Sequence, residues 1–303
     1  MTGVQHMFQY PEFHGSGGDM LDGGPVAELA VIAERSGWDG FAFTEHPAPS
    51  SKWLEAGGHQ ALDPFAALAH VAAVTTRLKL LTYLAVVPYR NPMMLAKAAA
   101  TVDKLSGGRF ILGAGTGYLK AEFFAVGVDL DERNELFDEA LDVLPLHWAG
   151  TPFSYTGKHF SARDVIALPK PVQQPIPIWI GGNAKLTLRR VAERAQGWMP
   201  LLGLNSAAAS TVRSPYLDSL AGLDERLTIL RDLAGDRFAD LDIVVSYNDA
   251  TVYDTDRDVE RHREALAGYE AAGASWIIVP GPQDPAPKSA EFLDAFAELY
   301  IRR

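Results

Sequence analysis

The chain predicts an α/β fold, a closed (β/α)8 TIM barrel with a β-hairpin inserted between its fourth and fifth strands, and three observations carry that expectation. The first is the stretch from Lys79 to Gly117, where the apolar runs Leu80–Val87 and Phe110–Ala114 flank an alanine-rich helical segment, Pro92–Lys104. A helix of that length is the crossover that joins parallel neighbours. The second is that eight short apolar runs alternate with helical stretches over 303 residues, and repeated βα units pair in parallel with right-handed crossovers. The third is a change of character at residues 150–177, rich in glycine and proline with alternating Phe153, Tyr155 and Phe160. That segment reads as a hairpin excursion rather than a barrel element. An open doubly wound sheet is the alternative, weakened because no GxGxxG follows the first strand.

Taken in order, the first strand is Val4–Gln9, and Pro25–Ser36 is a helix closed by Gly37. Gly40–Thr44 is the second strand, ending in Glu45-His46-Pro47. Ala48–Leu62 is an irregular loop, and Asp63-Pro64 caps a helix running to about Ala73. Asn91-Pro92 starts the next helix and Ser106-Gly107-Gly108 stops it. After the fourth strand come a short helix, Tyr118–Val126, and an amphipathic one, Glu132–Trp148. The later strands are Ile178–Ile180, Gly197–Pro200, Ile243–Tyr247 and Trp276–Val279. Helices are expected over Ala184–Ala195, over Ala207–Leu233 with breaks near Ser214-Pro215 and Gly222, over Asp256–Ala272, and over Ser289–Ile301. The whole of 1–303 is read as one domain.

Composition narrows the function. Lys and Arg total 27 against 38 Asp and Glu, a net charge of −11 without a basic cluster, which argues against nucleic-acid binding. There is no cysteine, so disulfides and thiolate metal sites are excluded. No apolar run nears the length of a membrane span and the first residues lack a signal-peptide pattern, so a cytoplasmic enzyme without membrane partners is expected.

In a parallel barrel the site lies at the C-terminal strand ends. There His46 can donate to a developing anion, and its neighbour Glu45 can bias the imidazole tautomer. The alternative is a histidine that caps a loop. Gly113, Gly115 and Gly117 leave a bare backbone at the end of the fourth strand. Gly181-Gly182-Asn183 opens a helix whose free N–H groups can seat a phosphate. Together the two glycine platforms suggest one phosphate-bearing ligand with a flat ring. The aromatics Phe8, Tyr10, Phe43, Trp53, Tyr83 and Tyr247 are candidates for the walls of an apolar substrate pocket, against the plainer reading of core bulk. A metal hydrolase is the rival class, but His14, His59, His70, His147, His159 and His262 fall on predicted loops or helices rather than strand ends.

These segments resemble the bacterial-luciferase-like superfamily of flavin- and deazaflavin-dependent oxidoreductases. The matching words occur in order: FTEH, then VVPYRNPMMLAKAAATVDKLSGGRFILGAGTGYLKAEF, then HWAGTPFSYTGKHF, LPKPVQQPIPIWIGGN and RAQGWMPL. The likeness is tight from Gly37 to Leu202 and is similar in phrasing to the actinobacterial branch that uses coenzyme F-420. The resemblance implies a homodimeric barrel with the ring across its C-terminal mouth, transferring hydride to or from a small organic substrate. FMN in the same seat implies a monooxygenase, and a non-catalytic flavin-binding barrel is a further alternative. By resemblance, Glu45 and His46 stand beside the reactive ring. Tyr83-Leu84 is the bulge behind it, with a cis peptide bond. Gly115, Thr116 and Gly117 lie under the ring and phosphate arm, and Gly181, Gly182 and Asn183 bind phosphate. Lys120, Lys185 and Arg189 are the cations expected to offset the acidic chain. The chain departs from its relatives in strand 1, His6 to Tyr10, and at Tyr118, where some deazaflavin enzymes carry an acid.

Overall fold

The computed structural model describes residues 3–14, 19–203, 214–282 and 286–302. Eight strands close into a parallel barrel: β1 (Gln5–Gln9), β2 (Gly40–Phe43), β3 (Lys79–Thr82), β4 (Phe110–Gly115), β5 (Ile178–Gly181), β6 (Gly197–Met199), β7 (Asp242–Ser246) and β8 (Trp276–Pro280). Two pairings show the closure. Met7 of β1 stands opposite Ile278 of β8, and Trp179 of β5 stands opposite Gly113 of β4. The surrounding helices are α1 (Val26–Ser36), α2 (Pro64–Val74), α3 (Pro92–Ser106), α4 (Arg133–Trp148), α5 (Lys185–Arg194), α6 (Leu220–Ala234), α7 (Val259–Ala271) and α8 (Ala286–Phe296).

Strand residues alternate between two cores, since successive side chains leave a strand on opposite faces. Met7, Ala42, Leu81, Ile111, Trp179, Met199, Val244, Trp276 and Ile278 fill the barrel interior. Their neighbours Phe8, Phe41, Phe43, Leu80, Phe110, Ile180, Val245 and Ile277 face outward into the layer beneath the helices. Both faces are buried, which is why the strands read as continuous apolar runs.

The helix signals act as their chemistry dictates. Asp63 accepts the Ala66 N–H at 2.8 Å with Pro64 beginning α2. Asn91 accepts the Met93 N–H at 2.9 Å with Pro92 beginning α3. Gly37 and Gly107 end their helices in the left-handed region, at φ 100° and 69°. The hairpin between β4 and β5 is present, Phe153–Thr156 pairing antiparallel with Ser161–Val165.

Several expectations are corrected. The third strand is not continuous to Val87; it stops at Thr82, resumes as Ala85–Val86, and the Tyr83-Leu84 peptide between them is cis. The loop 48–62 contains a helical turn, Ser51–Glu55, and its residues His59–Gln60 pair antiparallel with Phe13–His14 beyond β1. Gly222 does not break a helix. It lies in the first turn of α6, where its N–H bonds the Ser219 hydroxyl at 3.2 Å. Residues 214–219 precede that helix, and 207–213 lie outside the described residues. The seventh helix starts at Val259, not Asp256.

Two contacts tie β4 to its surroundings. Buried Arg109 donates to the carbonyls of Ala72, Thr75, Leu78 and Ser106 and to the Thr75 hydroxyl, locking the start of β4 to the end of α2. The Thr82 hydroxyl donates to the Gly113 carbonyl at 2.8 Å, and a Cβ at Gly113 would overlap the Thr82 carbonyl oxygen. That oxygen is backbone and cannot turn aside. Gly113→Ala is therefore expected to exceed the ~1–3 kcal/mol of ordinary overpacking. Thermal unfolding of the purified variant checks this, and an unchanged midpoint would refute the close approach.

Candidate functional site

The C-terminal strand ends and their loops enclose a cavity of about 1060 Å³. His46 lines it from the β2 loop, Tyr83 and Leu84 from the cis bulge, Gly115–Tyr118 from β4, and Gly181–Ala184 from β5. Both glycine platforms therefore open onto one space.

Sheet closure explains how they meet. The register Ile180–Ala114 brings Gly181 level with Gly115, and the Leu84 side chain lies over both. A Cβ at Gly181 would come 2.5 Å from Leu84 Cδ1, and one at Gly115 would come 3.1 Å from it. Gly117 adopts φ 75°, and a Cβ there would meet Val86 at 2.5 Å. Glycine at these positions lets Leu84 and Val86 lie directly against the backbone at the mouth of the cavity.

The carboxylate beside His46 is not the expected one. Adjacent residues at a strand end point apart, and Glu45 turns away from the imidazole. It accepts the Val86 N–H at 2.6 Å and pairs with Arg90. Burial pushes the Glu45 carboxyl above the usual carboxylate range, and Arg90 and the Val86 N–H pull it partway back. Glu45 thus pins the segment that follows the cis bulge to β2. The partner of His46 is Glu122, a fully buried residue on the short helix Lys120–Ala125. Its Oε2 lies 3.3 Å from His46 Nδ1 and accepts the Tyr89 hydroxyl at 2.8 Å, while its Oε1 accepts the Ala48 N–H at 3.3 Å. Burial, then the Glu122 charge, holds the Tyr89 phenol far above its ordinary value, so it remains a donor. With Glu122 accepting at Nδ1, the tautomer carries its proton there and leaves Nε2 as the working nitrogen.

The start of α5 also differs in detail. The Gly182 N–H bonds Met199 O at 3.1 Å and the Asn183 N–H bonds the Ser214 hydroxyl at 3.1 Å. The buried Asn183 side chain donates to Leu201 O and Pro215 O and accepts the Leu201 N–H at 2.9 Å. Asn183 fastens the loop after β6 instead of offering its amide to a ligand. The N–H groups of the first helical turn, residues 185–187, are the donors that the start of α5 leaves without an intrahelical partner. Ala184 stands at the cap without a capping side chain, and Ala184, Leu186 and Thr187 line the cavity. Arg133 and Arg190 line the cavity there, Arg190 with its charge matched by Asp138. Lys120, Lys185 and Arg189 are exposed and outside the lining, a correction that follows from helix phase. Arg190 is held by Asp138 at 2.7 Å and by Asn134. Arg133 donates from Nη1 to Leu130 O at 2.8 Å.

The aromatic wall is corrected as well. Phe8, Tyr10, Trp53 and Tyr247 are absent from the lining. Phe8, Tyr10 and Tyr247, like Phe43, occupy the outward phase of their strands and pack under the helices. Trp53 stands behind the site, its ring 4.6 Å from that of His46. The opposite wall is polar instead, with Gln9, Glu12, His59, Ser246, Asn248 and Tyr253. Glu12, His59 and Glu122 carry no local motif. Only the i,i+4 spacing of Tyr118 and Glu122 hinted that a carboxylate returns to the mouth. Among the described residues no cluster of three or more His, Asp or Glu could hold a metal ion, and no helix is long and apolar enough to cross a membrane.

Comparison with known proteins adds an independent line. The family model for luciferase-like monooxygenases matches residues 6–276. An uncharacterised protein of Mycobacterium tuberculosis is 34% identical over 142 residues, covering 47% of this chain and 49% of that protein. The F420-dependent glucose-6-phosphate dehydrogenase of Microbacterium testaceum is 28% identical over 197 residues, 64% of this chain and 57% of that protein. The chain thus spans about half the length of the curated relatives it matches. The crystal structure of monooxygenase RslO1 from Streptomyces bottropensis shares the fold at a TM-score of 0.78, with 22% identity over 97% of this chain and 98% of that one.

The two carboxylates separate experimentally. Glu45→Gln keeps one acceptor oxygen but loses the charge and sets a donor amide against either the Val86 N–H or the Arg90 guanidinium, and is expected to cost about 1–3 kcal/mol of stability, read as a lower denaturation midpoint. An unchanged midpoint would show that Glu45 is no anchor.

Proposed function

We propose that this chain, which belongs to the luciferase-like monooxygenase family, is an oxidoreductase that holds a deazaflavin of the coenzyme F-420 type at its barrel mouth and exchanges hydride with a small organic substrate. The carrying observation is that one cavity is lined by a glycine cradle, an uncapped helix start and His46, whose Nδ1 is backed by the buried Glu122.

The residues suit such a group. The cradle at Gly115, Gly117 and Gly181 tolerates no Cβ without displacing Leu84, Val86 or Phe123, so glycine there lets these side chains lie back against the strand ends and leaves the cavity in front of them for a ring. The first turn of α5, with Arg133 beside it, suits the phosphate arm. When bound, the ring supplies hydride chemistry, or oxygen chemistry if it is FMN. The chain contributes orientation and proton handling. Leu84 backs the ring position, and Glu122 fixes the His46 tautomer so that Nε2 can hold or release a proton at the mouth. Support for a deazaflavin over FMN comes from the Microbacterium relative, whose name states F420 dependence and whose match extends over 64% of this chain.

Anaerobic titration of the purified chain with reduced F-420 and with reduced FMN tests the reading. Saturable binding of F-420 is expected; binding of FMN alone, with oxygen consumption, would overturn it in favour of a monooxygenase. His46→Ala is expected to lower turnover by roughly 10²–10⁴-fold with cofactor affinity changed only a few-fold. A variant that lost affinity alone would mark a binding protein instead.

A further inference from the structure

The cavity has an electrical direction. Arg133, Arg190 and the open start of α5 stand on the β4–β5 side, whereas the β1 side presents a carboxylate that the chemistry above does not use. Glu12 lines the cavity, where Gln9 Nε2 donates to its Oε1 at 2.8 Å and His59 Nε2 lies 3.4 Å from its Oε2. Its backbone is not a free loop. Residues 13–14 and 59–60 pair antiparallel, tying the loops after β1 and β2 together. The His59 ring meets the His46 ring edge-on at 4.7 Å, so the two histidine–carboxylate pairs face one space side by side.

Three phenols register the same carboxylate. Tyr83, Tyr118 and Tyr253 come from the loops after β3, β4 and β7, and all line the cavity. Burial pushes each of them up, Tyr83 and Tyr253 to about 12; the Glu12 charge adds to it in all three, after Glu122 at Tyr118 and against a hydrogen bond with Ser246 at Tyr83. Glu12 and these three rings line the same space. In the ring of eight strands β1 stands opposite β5, so Glu12 lies across the mouth from the open start of α5, at the end left to a substrate.

We infer that Glu12 is a specificity-determining residue that selects a substrate bearing a hydrogen-bond-donating head, a hydroxyl or an ammonium, and rejects one bearing a carboxylate or phosphate there. An ionised carboxylate only accepts hydrogen bonds. A donor head gains a charge-assisted bond, whereas an anionic head meets a like charge in a sheltered cavity. This inference rests on the proposed oxidoreductase reading for the identity of the substrate end; its physical basis is a carboxylate that lines the cavity with Gln9 and His59 at its two oxygens.

The test uses three probes with one ring and different heads: cyclohexanol, cyclohexylamine and cyclohexanecarboxylate. Each is titrated calorimetrically into the purified chain, first cofactor-free and then loaded with F-420. Cyclohexanol or cyclohexylamine is expected to bind at least roughly tenfold more tightly than the carboxylate; the stronger of the two tells hydroxyl from ammonium. Glu12→Gln, which replaces an acceptor oxygen with a donor amide, should remove or invert that preference, and Glu12→Asp should restore it. F-420 affinity should change less than about twofold in both variants, a split expected of a group at the substrate end. Equal binding of all three heads, binding of none, an unaltered preference in Glu12→Gln, or loss of F-420 binding in that variant would each overturn the inference. If wild-type chain takes neither F-420 nor FMN yet keeps the preference, the cofactor reading falls and the role of Glu12 stands.

Discussion

The pairing of β4 with β5 is the constraint on which the mouth depends. It closes the sheet into a barrel, and by closing it fixes which residues come level at the rim. The register brings Gly115 and Gly181 side by side beneath Leu84. A slip of one residue would put a Cβ from the neighbouring position into that gap and turn the interior residues outward. Gly113, which accepts the Thr82 hydroxyl, stands opposite Trp179 in this register, and α5 begins four residues beyond Gly181.

Around that seat the chain divides labour among carboxylates that look equivalent on paper. Glu45 and Glu122 are both buried, but one meets a backbone N–H and an arginine, the other an imidazole and a phenol. The first holds the rim in shape and the second sets a tautomer. Neither role could be exchanged, because the direction in which each side chain leaves its element is fixed by the strand or helix that carries it.

The barrel was legible because its signals are periodic and local. Alternating apolar runs, Asn91-Pro92, Asp63-Pro64 and the glycine stops each carry their own chemistry, and the hairpin announced itself through glycine and proline. The glycine platforms were legible for the same reason. What could not be read was phase and distance. Phe8, Tyr10 and Tyr247 sit on strands correctly placed, but on the outward face, and an apolar strand buried on both sides gives no cue to which face is which. Glu122 lies 76 residues from His46, and the Glu12–His59 contact joins two loops. Such pairs are made by the closed barrel rather than by neighbouring residues. Asn183 shows the converse: a residue in the right place whose side chain faces the loop instead of the ligand.

That fastening has an evolutionary corollary. The Asn183 side chain grips only main-chain atoms, the amide and carbonyl of Leu201 and the carbonyl of Pro215, while its own N–H bonds the Ser214 hydroxyl. That amide grip reads no side chain at positions 201 and 215, so either residue can change without loosening it. One asparagine thereby ties the start of α5 to the backbone beyond β6, and it is the asparagine that must be kept.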